Sequence, residues 1–104
     1  MAKKDSNRQS DLLTREQKKT ARPPQFKVVI HNDDYTTMEF VLEVLEGVFL
    51  LSPAEAYRVM MLVHEEGVGV AGIYSHEIAE TKAALVTDQA QVEGYPLRAS
   101  VEKE

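Results

Sequence analysis

The feature that most narrows the fold is a change of hydrophobic period between residues 26 and 48. Phe26-Lys27-Val28-Val29-Ile30-His31 alternates, which sets Phe26, Val28 and Ile30 on one side of an extended strand. Asn32-Asp33-Asp34-Tyr35 follows, with short polar side chains that can bond their own backbone in a turn. Apolar residues then recur at helical spacing: Phe40, Val41, Val44, Leu45 and Val48. Thr36 and Glu39 fit a Thr-x-x-Glu capping box at the start of that helix. A strand and a helix that each carry one apolar face must bury those faces together, so the expected structure has two layers.

The same punctuation continues to the end of the chain. Ser52-Pro53-Ala54-Glu55 opens a second helix with Pro at its first position. Tyr57, Met60, Met61 and Val63 lie along it, and Gly67 ends it. Val68 to Tyr74 reads as a strand in which Gly69 and Gly72 admit close packing or a bend. Ser75 caps a third helix with Ile78, Ala79, Lys82, Leu85 and Val86 along it and Gly94 past its end. Tyr95 to Val101 alternates as a last strand, and Pro96 puts it on an edge. The predicted class is α+β: a small three-stranded antiparallel sheet packed on three helices, in the order β-α-α-β-α-β.

Charge is divided unevenly along the chain. Residues 1–24 hold seven Lys/Arg against three Asp/Glu, a net +4, whereas residues 25–104 hold five against fourteen, a net −9. So acidic a domain repels phosphate backbones, which argues against nucleic-acid binding. The first segment is polar apart from Leu12-Leu13 and buries too little to offset chain entropy. We read residues 1–24 as a flexible extension that Pro23-Pro24 stiffens at its junction, and 25–104 as the folded core. The chain has no Cys, which excludes disulfides and cysteine-ligated metal. No apolar run approaches the roughly 20 residues that cross a bilayer, and no signal-peptide core is visible. A cytoplasmic protein without membrane contact is expected.

Catalytic patterns are weak. Asp33 and Asp34 are neighbours whose side chains diverge in extended chain. His64-Glu65-Glu66 and His76-Glu77 lack the paired histidines of a zinc-protease helix. Nothing in the spacing of Asp34, His64 and His76 requires a metal, and Gly67-x-Gly69-x-x-Gly72 lacks the context of a dinucleotide loop. Binding fits better. If His64 folds back near Asn32 and Asp34, a polar rim faces Met38, Val41, Met60 and Val63, which suits a ligand with a positive head and an apolar body. A polypeptide's α-amine has a reference pKa of roughly 7.7–8.0 and offers three N–H donors when protonated. Residue types alone favour a plainer reading: Asn and Asp as turn formers, Met and Val as core, His64 as a capping residue near a helix C-terminus.

Asn32-Asp33-Asp34-Tyr35-Thr36-x-Met38-Glu39-Phe40-Val41, then Met61-Leu62-Val63-His64-x-x-Gly67, Ala79-Glu80-Thr81-Lys82 and Pro96-Leu97 resemble the ClpS family, over about residues 25–104. These are small adaptors that deliver N-degron substrates to a Clp AAA+ protease. The resemblance implies a monomeric binding protein with no enzymatic activity and no cofactor. Its substrates begin with Leu, Phe, Tyr or Trp. Asn32, Asp34 and His64 are implied to bond the free α-amine, with Asp33 in the same acidic rim. Thr36, Met38, Val41, Met60, Val63 and Leu97 are implied to line the side-chain pocket, with Met38 the gate against β-branched Ile and Val. Glu77 and Lys82 match the family's docking helix for a ClpA-type unfoldase, which also engages the N-terminal extension. Three positions depart from the usual pattern. Thr37 replaces a Pro, which relaxes the turn; Leu62 replaces a small residue, facing pocket or core; His31 replaces an apolar residue at a partly exposed strand end. A translation-linked domain of ribosomal-stalk type is the alternative with the same general fold, since fold alone does not settle function.

Overall fold

The computed structural model describes residues 23–104. The extension expected over residues 1–24 lies outside them, except for Pro23 and Pro24, which are exposed. The elements run β1 (Phe26–His31), α1 (Met38–Gly47), α2 (Pro53–Glu66), β2 (Val68–Tyr74), α3 (His76–Glu93) and β3 (Arg98–Lys103). The strands form one antiparallel sheet in the order β2-β1-β3. This is the α+β arrangement that the alternating periods require.

Val28 and Ile30 of β1 are fully buried beneath the helices, with Phe40, Val41, Val44 and Leu45 of α1 and Ala56, Val59, Met60 and Val63 of α2. α3 contributes Ala79, Ala83, Val86 and Ala90, so small side chains form most of its buried stripe. Tyr57, Ile78 and Leu85 lie along these helices but are exposed. The α2 stripe Ala56-Val59-Met60-Val63 has the i, i+3, i+4, i+7 spacing of one face, and Tyr57 falls beside it. On α3 the alanines take the inward face, which leaves Ile78 and Leu85 on its flank.

The β1–β2 register has one irregularity. Val28 pairs with Gly72 but Val29 with Val70, so Ala71 is the extra residue of a bulge. At Gly69, β2 presses on α2. A Cβ there would lie 2.8 Å from Val63 Cγ2 and 3.2 Å from the Val59 carbonyl oxygen. β3 begins at Arg98, later than alternation predicts, because the Tyr95 N–H donates to Ala90 O and Pro96 has no N–H to give. Gly67 and Gly94 end α2 and α3 in the left-handed region, at φ 88° and 78°, as their positions predict.

Candidate functional site

The turn between β1 and α1 is built around Asp33. Its Oδ1 accepts from the backbone N–H groups of Tyr35 at 2.8 Å and Thr36 at 2.7 Å, and its Oδ2 from the Thr36 hydroxyl at 2.8 Å. Burial opposes ionisation of this carboxyl, but the bonds from Thr36 and Tyr35 outweigh it and hold its pKa below the usual 3.8. The predicted Thr36–Glu39 capping box does not form. Asp33 captures Thr36, and the helix starts one residue later with Thr37 as its N-cap, whose hydroxyl oxygen accepts from Phe40 N–H at 3.1 Å. Thr37, which departs from the family's usual Pro, thus supplies a hydroxyl cap that a Pro at this position cannot. The turn is also tied to α2's end by Asn32 N–H, which donates to Gly67 O at 2.9 Å.

Beside that tie lies an open pocket of about 280 Å³ lined by Asn32, Asp33, Asp34, Thr36, Met38, Val41, Met60, Val63 and His64. These come from the β1–α1 turn, the first turns of α1 and the second half of α2. Polar groups stand together on the rim, and Met60, Val63 and Val41 form a buried floor. Met38 is half-exposed among the lining residues. The volume sits just under the roughly 300–1,000 Å³ of drug-sized ligand sites, so one side chain with a small head group fits it.

Two of the residues expected here behave otherwise. Leu97 is not in the lining; it is 4 % exposed and packs in the core, because Tyr95 and Pro96 carry the chain from α3 to β3 there. Asp33 lines the pocket, but it is the turn's organiser and has three bonds within the turn already. Leu62 faces neither pocket nor core: it borders a separate groove with Lys27, Arg58 and Val68. His31 is partly exposed, with Nε2 2.6 Å from Ser100 Oγ and Nδ1 3.2 Å from Arg98 Nη2. Arg98 can only donate, so Nδ1 accepts and Nε2 carries the proton toward Ser100. His76 is not among the lining residues; it meets Phe26 edge-on and pairs with Glu80 at 3.2 Å. Among the described residues no group of three or more His, Asp or Glu side chains is arranged to hold a metal.

Lys82, expected at a partner surface with Glu77, has a structural bond as well. Its Nζ donates to Val48 O at 2.7 Å, at the C-terminus of α1, and lies 5.2 Å from the Tyr74 ring centre. Sequence spacing gave no sign of this link, which joins residues far apart in the chain.

Residues 21–100 match the family model of the ATP-dependent Clp protease adaptor protein ClpS. The chain belongs to the ClpS family. It is 56 % identical over 94 residues to the ClpS adapter of Desulfatibacillum aliphaticivorans, covering 90 % of each chain. It is 50 % identical over 99 residues to that of Nitratidesulfovibrio vulgaris, covering 95 % of this chain and 97 % of the relative. Among solved structures, Agrobacterium tumefaciens ClpS2 bound to L-phenylalaninamide superposes with a TM-score of 0.76 at 44 % identity, over 79 % of this chain and 99 % of that one. Membership in ClpS makes this chain a Clp protease adaptor and decides against the ribosomal-stalk alternative. No helix among the described residues is long and apolar enough to cross a membrane.

Proposed function

We propose that the pocket reads the first residue of a polypeptide, taking a free α-amine at Asn32, Asp34 and His64 and a bulky apolar side chain on the floor below. One observation carries the reading: the three rim acceptors and the buried Val41-Met60-Val63 floor line the same small cavity. L-phenylalaninamide, bound by the Agrobacterium ClpS2, has a free α-amine and a bulky apolar side chain. Neither half of such a ligand suffices. Burying a Leu or Phe side chain contributes roughly 1.5–3 kcal/mol, and a hydrogen bond to a charged group about 1.5–3 kcal/mol. Binding needs both, in a site that does not reorganise. Asp33 meets that requirement by fixing the turn, and Met38 at the mouth limits entry to side chains unbranched at Cβ.

On this reading the protein is a non-enzymatic, monomeric adaptor with no cofactor. It holds N-degron substrates beginning with Leu, Phe, Tyr or Trp and delivers them to a ClpA-type AAA+ unfoldase, which docks on Glu77 and Lys82 of α3. Lys82 keeps two N–H donors for a partner after its bond to Val48 O.

The test is fluorescence anisotropy with three peptides: one beginning with Leu, its N-acetylated twin, and one beginning with Ile. The Leu peptide alone is expected to bind. Acetylation removes the charge and leaves Asp34, Asn32 and His64 without their donors, and a polar site rejects such an analogue strongly. Equal binding of all three, or of none, refutes the reading.

A further inference from the structure

Leu50 stands out twice. It is the one non-glycine residue with positive φ among the described residues, at 56°. It is also 79 % exposed. A left-handed position suits Gly or Asn, and an exposed one suits a polar side chain, so both the backbone and the solvent disfavour leucine there. Val92 is as exposed but sits in ordinary helix, where a single apolar surface residue is unremarkable. Strained residues of this kind cluster at sites of contact and switching.

Its surroundings supply the rest of a surface. Leu50 follows Val48 and Phe49, and the Val48 carbonyl holds Lys82 Nζ. On α3, Ile78, Lys82 and Leu85 have the i, i+4, i+7 spacing of one face. Ile78 and Leu85 are 50 % and 42 % exposed. The Lys82 ammonium lies against Val48 O and the Phe49 and Tyr74 rings and has no carboxylate within 4.0 Å among the described residues, on a domain whose net charge is −9; Ile78 and Leu85 flank Lys82 along α3, and Leu50 lies two residues past Val48.

Resting on the docking role given above to Glu77 and Lys82, we propose that Leu50 is the apolar anchor of the surface that engages the Clp unfoldase. The occupant is a patch of the unfoldase with an apolar recess for Leu50 and a carboxylate facing Lys82. Lys82, drawn onto the end of α1, joins the α1–α2 link to the α3 stripe. The degron pocket lies at the other end of α1, whose 10 residues span about 15 Å. The two ligands therefore do not compete for space.

The test is a pair of variants, Leu50→Asn and Leu50→Gly, in the full chain. Each is measured for thermal midpoint, for affinity to the purified unfoldase, and for affinity to the Leu-first peptide. A raised or equal midpoint, peptide affinity within twofold of wild type, and unfoldase affinity lower by roughly ten- to a hundred-fold are expected, the size set by one apolar side chain. Wild-type unfoldase affinity in both variants overturns the role of Leu50 and leaves the docking role of Glu77 and Lys82 standing. A wild-type protein that does not bind the unfoldase overturns both. A midpoint lowered in both variants shows that leucine is needed for the fold, which also overturns the proposal.

Discussion

Asp33 shows how one side chain can shape a candidate binding site without being proposed as its main contact. A carboxylate with three local donors fixes the backbone from Asp33 to Thr36, and so fixes where Asn32 and Asp34 can stand. The folded-state pKa of Asp33 is lowered, so its contribution is fully present above the unfolded value and is lost as pH falls through the folded one. We expect peptide affinity to weaken only below about pH 4 through this group. A carboxyl titration followed by NMR should give Asp33 a midpoint below the usual aspartate value; a normal midpoint would remove it from the role. Met38 is tested differently. Met38→Ala is expected to admit an Ile-first peptide, raising its affinity roughly tenfold or more, the scale of discrimination that small volume changes give. Unchanged preference, read in the anisotropy assay, would mean that the gate lies elsewhere. Asp33 and Thr37 also mark a limit of local pattern. Two consecutive threonines both fit a helix cap, and only the competition of Asp33 for Thr36 chose between them.

Among the elements, the contact between β2 and α2 controls the pocket floor. Gly69 lies against Val63, which is both core and lining. Gly69→Ala must displace Val63 or move α2 from the sheet. We expect a loss of about 1–3 kcal/mol, the usual effect of overpacking, together with weaker peptide binding. Chemical denaturation and anisotropy on the same variant check both; unchanged stability and affinity would show that α2 has room to yield. Helix existence and type were legible from periodicity and from Ser52-Pro53, Gly67 and Gly94. The inward face of α3 was not. Its alanines give little hydrophobic signal, while Ile78 and Leu85 carry a strong one and point to the wrong side.

For the molecule as a whole, the proposed degron pocket and the proposed docking surface occupy opposite ends of α1, joined by a helix rather than by a loop. Rigid separation predicts independence: affinity for a Leu-first peptide should stay within about twofold when the unfoldase is saturating, a coupling below the roughly 5-fold of ordinary allosteric pairs. A larger change in a peptide titration run with and without unfoldase would show that α1 transmits one site to the other.

Local chemistry decided much of this protein. The switch of period after His31, the turn chemistry of Asn32 to Tyr35, and the start and stop residues of α2 and α3 depend on neighbours within a few positions, so they can be read along the chain. The same holds for the gathering of Asn32, Asp34 and Thr36, which one turn holds together. Tertiary structure decided what depends on distant partners. Packing brought His64 of α2 over that turn, drew Leu97 into the core, turned Lys82 onto the end of α1, and left Leu50 exposed in a conformation its side chain disfavours. Burial and long-range hydrogen bonds are set by the sum of contacts across the fold, and no short window of sequence contains that sum.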